Sequence, residues 1–177
     1  MATIFLWQPE HSRWGFLSQW YESPFHTGGK EIIFHTAEQY MMHHKALLFS
    51  DHETAAKILT EKDPKTNQEL GRGIKNFDKS LWLQHRERIV EEGSYHKFTH
   101  SLVDREDLKA LFLATGDQEL VEASPVDRIW GVGYGEEDAH HNRPDWGSNL
   151  LGKALSRARD RIRREQEELK TGSRSQI

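Results

Sequence analysis

Residues Phe34–Phe49, FHTAEQYMMHHKALLF, hold the first unambiguous helix of the chain. Thr36-Ala37-Glu38-Gln39 has the form of a capping box, a hydroxyl residue followed three positions later by Gln. The pattern predicts a helix from Thr36 to about Phe49. Glu38, Met41, Met42, Lys45 and Phe49 fall at i, i+3, i+4, i+7 and i+11, which is one stripe of that helix. Glu38 and Lys45 therefore stand two turns apart, about 10 Å along the axis. That is too far for a helical ion pair and suits flanking a small ligand. An apolar surround would lower the lysine's pKa toward the range where its free amine is a nucleophile. The same stripe also describes an amphipathic helix whose long charged side chains reach out to water. Periodicity alone leaves both readings open.

Upstream, Thr3–Trp7 (TIFLW) reads as a short strand, and so does Glu31–Phe34 (EIIF) after the turn signal Gly28-Gly29. Downstream, Asp51 caps a second helix that stops at Asp63-Pro64. That pair then serves as cap and first residue of a third helix, running to about Gly73. Asp78 caps a fourth helix ending at Gly93. Asp104 caps a fifth, with Gly116 just past its end. Glu119–Ala123 and Arg128–Val132 are strand-like, and a Gly- and His-rich loop fills 133–146. The last helix starts near Ser148 and buries Leu151, Ala154, Leu155, Ala158 and Ile162. Beyond Ile162 the chain is almost wholly polar, so 163–177 is expected to be a frayed or disordered tail. The strands are too short for a large sheet. The expected fold class is mainly α, an α+β domain with a small β element over residues 1–162.

The chain has 177 residues, one domain's length, and eighteen aromatic residues argue against disorder. A net charge of −4 leaves no global basic field to grip nucleic acid. With no cysteine, a disulfide scaffold, a zinc finger and a Cys nucleophile are excluded. No apolar run approaches a membrane span, and Ala2–Trp7 is too short for a signal peptide, so a cytoplasmic protein, or a nuclear one, is the expectation.

Three further segments are candidates for chemistry. Asp127-Arg128-Ile129-Trp130-Gly131 sets an acid and a Trp before Gly131, Gly133 and Gly135, where backbone can approach a ligand closely. The bland alternative is a glycine-rich turn with a core Trp. Ser148-Asn149 opens the last helix, whose N–H groups suit an anion such as phosphate. Capping statistics alone favour a plain N-cap at Asn149 or Ser148. Arg72 and Lys75 are phosphate candidates or part of a solvated basic face. Among the eleven histidines, His43-His44 and His140-His141 are adjacent pairs. Helical neighbours point about 100° apart and cannot readily share an ion. No metal and no cofactor are expected.

Taken in order, Gly15–Phe25 (GFLSQWYESPF), Phe34–Phe49, Asp63–Phe77 (DPKTNQELGRGIKNF), Trp82–Phe98, Leu111–Asp117 (LFLATGD), Leu120–Gly133 (LVEASPVDRIWGVG) and Trp146–Leu155 (WGSNLLGKAL) resemble the NADAR superfamily, also called YbiA-like. The match spans most of residues 15–160. The resemblance implies a YbiA-like single multihelical domain and N-glycosidase chemistry at ribose C1. The implied substrates are ADP-ribosylated guanine, including guanine in nucleic acid, and phosphoribosylamino-pyrimidine intermediates of riboflavin biosynthesis. Carried over by position, Lys45, Glu38 and Asp127 are the implied catalytic residues. Trp82, Trp130, Gln19, Arg72, Gly131, Gly133 and Asn149 are the implied substrate-binding ones. Many relatives have Asn where this chain has Gln19.

Loss of a base from ribose C1 builds positive charge on the sugar. Either water attacks C1 with Glu38 or Asp127 as base, or Lys45 attacks and the opened ribose becomes a Schiff base. The resemblance implies the lysine route. Trp82 and Trp130 are suited to stack on the base. The competing classes are a non-catalytic ADP-ribose or nucleotide reader, which has no need of Glu38 or Lys45, and a metal-dependent hydrolase built on the loop histidines.

Overall fold

The computed structural model describes residues 2–10, 12–29 and 31–174. Strand β1 (Thr3–Leu6) is followed by helices α1 (Ala37–Leu48), α2 (His52–Thr60), α3 (Pro64–Arg72), α4 (Lys79–Thr99) and α5 (Leu108–Leu113). Strand β2 (Glu119–Glu122), the single-turn helix α6 (Glu136–Ala139) and the long helix α7 (Leu150–Arg174) complete the chain. The fold class is the mainly helical α+β domain that the short strands imply.

Asp, Thr and Pro residues set the helix starts. The side chains of Thr36, Asp51, Asp63 and Asp78 each accept from the backbone N–H three residues on, which satisfies one orphan donor per helix. In α1 the second half of the capping box is displaced. Gln39 Oε1 accepts from the N–H of His35 instead of Thr36, and its Nε2 donates to the carbonyls of Ile58 and Glu61. Gln39 therefore ties α1 to the end of α2.

β1 and β2 pair in parallel, Ile4 against Leu120 and Phe5 against Val121. Period-two alternation sends Ile4, Leu6 and Leu120 into the main core, with Phe25, Phe98, Phe112 and Leu155. Phe5 and Val121 enter a smaller core with Val132 and Ala139. The two-stranded ribbon thus separates the helical body from the loop before α7.

Four local expectations differ from the structure. Of Glu31–Phe34, Phe34 alone bridges, antiparallel to Phe25, and Ile32 and Ile33 stay exposed. Helix α4 runs through Gly93 to Thr99, because Gly93 marks a helix crossing. A Cβ there would stand 2.6 Å from the Tyr40 ring. Asp107, not Asp104, caps α5, accepting from Ala110. Arg128–Val132 forms no strand, because its carbonyls are taken by the start of α7.

Of the expected frayed tail, residues 163–174 are described, and they are helical. Helix α7 continues to Arg174, while 175–177 lie outside the described residues. Just past Ile162, Arg163 pairs with Asp117 at 2.8 Å and Glu165 accepts from the Tyr95 hydroxyl at 2.7 Å. Polar contacts with neighbouring segments replace the missing apolar stripe there.

Candidate active site

The predicted stripe of α1 faces a cavity of about 440 Å³. Glu38, Met41, Met42 and Lys45 form one wall. The end of α3 adds Gly71 and Arg72, the first turn of α4 adds Trp82, and the turn 18–20 adds Gln19 and Trp20. Glu122, Asp127 and Trp130 close it from the end of β2 and the loop beyond. Seven predicted residues therefore meet in one cavity: Lys45, Glu38, Asp127, Trp82, Trp130, Gln19 and Arg72.

Lys45 donates to the Gly71 carbonyl at 2.7 Å. Its ammonium also lies over the Trp82 ring, 5.3 Å from the centroid, and over Phe77 at 4.9 Å. Burial lowers its pKa, against the pull of Glu38. This is the direction that makes a lysine a nucleophile near neutral pH. Glu38 is 6% exposed. Burial pushes its carboxyl up to about 7, while a side-chain hydrogen bond from Trp20 and the charges of Lys45 and Arg72 oppose the rise. Its N–H donates to Gln19 O at 3.0 Å, which fastens the turn 18–20 to the start of α1.

Asp127 is partly a structural residue. Its Oδ1 accepts from the N–H groups of Ile129 and Trp130, at 2.7 and 2.9 Å. These bonds fix Trp130 at the cavity edge. Arg72 is steadied by Gln68, 3.0 Å away. Gln19 is 8% exposed, and neither Nε2 nor Oε1 has a hydrogen-bond partner among the described residues. An unpaired buried amide at a cavity wall is a ready contact for a ligand.

Four predicted binding residues, Asn149, Gly131, Gly133 and Lys75, do not line the cavity. Asn149 takes a positive φ of 48° and bridges to β2, accepting from Glu122 N–H and donating Nδ2 to Leu120 O. The N–H groups of Ser148, Asn149, Leu150 and Leu151 donate to the carbonyls of Arg128, Gly131, Ile129 and Trp130. The anion site expected at this helix start is therefore already filled by protein. Gly131 permits close packing, since a Cβ there would lie 2.8 Å from Glu122 O. Gly133, with φ of 80°, lies against the Arg128 side chain. Lys75 pairs with Glu53 at 2.9 Å and does not line the cavity.

Three residues that sequence reasoning passed over also belong to this site or support it. Trp20 lines the cavity and bonds Glu38. Glu122 lines it from the end of β2. Lys97, fully buried, donates to Ser18 O at 2.8 Å and backs the turn that carries Gln19 and Trp20. No cluster of three or more metal-ligating side chains occurs among the described residues. No helix there is long and apolar enough to cross a membrane.

A half-buried lysine, three carboxylates and four indoles line one cavity in a single α+β domain. The profile of the NADAR domain matches residues 5–163, and the chain belongs to this family. N-glycosidase R617 of Acanthamoeba polyphaga mimivirus is 41% identical over 149 residues, covering 81% of this chain and 85% of the relative. N-glycosidase Npun_R5314 of Nostoc punctiforme is 30% identical over 159 residues, covering 89% of each. These relatives support glycosidase activity in this chain. The NMR structure of Escherichia coli YbiA shares the fold, with a TM-score of 0.72 over 94% of this chain and 88% of that one, at 23% identity.

Proposed function

We propose that this protein hydrolyses the C–N bond at ribose C1 of an ADP-ribosyl or phosphoribosyl nucleotide-like substrate, with Lys45 as nucleophile. The observation that carries this reading is the convergence of Lys45 and Glu38, two turns apart on α1, in one cavity walled by Trp82 and Trp130. The neutral amine of Lys45 attacks C1, and the electron pair of the C1–N bond leaves with the base. The lysine nitrogen then gives up its proton, the ribose ring opens to a Schiff base, and water releases the sugar. Glu38, flanked by Lys45 and Arg72, stabilises the positive charge that develops on the sugar. Trp82 and Trp130 offer flat faces for purine or pyrimidine rings. Arg72 and the open amide of Gln19 are the polar contacts for the rest of the substrate.

Two substrate classes fit, ADP-ribose linked to guanine, including guanine in nucleic acid, and phosphoribosylamino-pyrimidines. The test is a turnover panel of both classes together with NAD, with products identified by mass spectrometry. Release of free base and ribosyl product from one class supports the reading. Tight binding without release would make the protein a reader instead.

A further inference from the structure

We propose that Glu122 is the general acid of this site, giving its proton to the nitrogen of the departing base. The inference rests on the C–N bond hydrolysis proposed above and holds for attack by either lysine or water.

The geometry separates the three carboxylates by their partners. Asp127 accepts two backbone N–H groups and caps a turn. Glu38 receives a hydrogen bond from Trp20 and faces Lys45 and Arg72, which oppose the rise that burial causes. Glu122 has neither kind of help. Its Oε2 is buried and has no hydrogen-bond partner among the described residues, although the side chain lines the cavity. The charged groups acting on it are Asp127 and Glu38, both acids. Burial, reinforced by those two neighbours, pushes its carboxyl up to about 8. A buried oxygen without a donor is well served by carrying a proton.

The backbone of Glu122 is rigid. Its N–H donates to Asn149 Oδ1 at 3.0 Å, and its carbonyl accepts from Val132 at 3.0 Å. Asn149, Gly131 and the end of β2 thus act as a bracket for this carboxyl. That is a use for two residues that do not themselves reach the cavity.

The step balances. As the C1–N bond breaks, its electron pair stays on the base nitrogen, which takes the Glu122 proton. The nucleophile's electron pair forms the new bond to C1. The Glu122 carboxylate then recovers a proton from the bound nucleophile, lysine ammonium or water.

Two measurements test the assignment. In protein labelled with carboxyl-¹³C glutamate, the signal missing from Glu122→Gln should titrate near neutral pH in the unliganded wild type. A midpoint in the ordinary carboxylate range would overturn the proposal and leave the glycosidase reading intact. In turnover, Glu122→Gln should lose about 10²–10⁴-fold in kcat on a substrate whose base must be protonated to leave. With a 4-nitrophenyl phosphoriboside, whose leaving group departs as a stable anion, the loss should shrink below about tenfold. Equal losses on the two substrates would overturn the acid role. A neutral-pH titration in a wild type that cleaves neither substrate would support the protonated Glu122 and count against the glycosidase reading.

Discussion

Lys45 of α1 donates to the carbonyl of Gly71 at the end of α3, and the same glycine lets the two helices approach. A Cβ on Gly71 would lie 2.0 Å from the Met42 sulfur. The terminal carbonyls of a helix carry partial negative charge. The proposed nucleophile is therefore held by a backbone carbonyl instead of an ion pair. Lys45→Ala should abolish turnover while the fold persists, and borohydride added during turnover should trap a ribosyl adduct on the wild type only. Lys45→Arg keeps the charge without a usable nucleophile and should also be inactive. A Lys45→Ala enzyme with wild-type rate would rule out covalent catalysis.

Glu38 and Asp127 should separate in mutagenesis. Glu38→Gln removes the carboxylate that acts on Lys45 and should lower kcat by roughly 10²–10⁴, with less change in KM. In Asp127→Asn the amide oxygen can still accept from Ile129 and Trp130, so the turn survives and any fall in kcat measures charge alone. Asp127→Ala loses the turn cap and should also destabilise by about 1 kcal/mol. Steady-state kinetics beside thermal melts distinguish the two kinds of loss. A rise in KM with kcat unchanged would move the residue to ground-state binding.

The α1 half of the site was legible because helical period places Glu38, Met41, Met42 and Lys45 on one face whatever surrounds them. Glu122 was not. At the end of a four-residue strand, ELVE, a glutamate reads as a solvent-facing end. Its burial comes from packing against segments distant in sequence. Lys97 was hidden for a related reason, lying past Gly93, where a crossing glycine imitates a helix stop. Asn149 shows the opposite failure. Helix starts have unpaired N–H groups in general, but here the carbonyls of 128–131 meet them, and that pairing belongs to the fold. The helical continuation just past Ile162 was not legible either, because Arg163 and Glu165 reach Asp117 and Tyr95, distant partners that composition does not reveal.

Stability should respond to pH through two groups of opposite sign. Burial lowers the pKa of His43, His44 and His100, and lowers His96 to about 4, where the charges of His100, Arg161, His44 and His26 also act. The unfolded chain then binds more protons below about pH 6.5, so this contribution is lost as pH falls from 6.5 toward 4. Glu38 and Glu122 are raised, to about 7 and about 8. There the folded chain holds more protons, and stability is lost as pH rises from about 4.5 through 8. Denaturant titrations should therefore find Glu122→Gln more stable than wild type at pH 8 and equal to it near pH 4. His96→Gln should flatten the acid limb. A constant difference across this range would refute the assignment.

Lys97 provides the sharpest stability test. It is fully buried, and burial alone holds its pKa down to about 7. Its Nζ donates to Ser18 O, with the rings of Tyr21 and Phe98 about 5.5 and 5.3 Å away. In the unfolded chain the amine titrates near 10.5. Between these values the unfolded state binds the extra proton, so wild-type stability should rise with pH from about 7 to 10.5. The penalty at neutral pH is on the order of 5 kcal/mol relative to an amine neutral in both states. Lys97→Met removes it at similar volume. Ser18 O still accepts from Tyr21 N–H at 3.3 Å, so no carbonyl is orphaned. The variant should be more stable than wild type at pH 7, and the advantage should shrink steadily toward pH 10.5. Turnover should fall nonetheless, because the turn carrying Gln19 and Trp20 loses its anchor to α4. A variant less stable at every pH would mean that the Ser18 bond outweighs the cost of burying the amine.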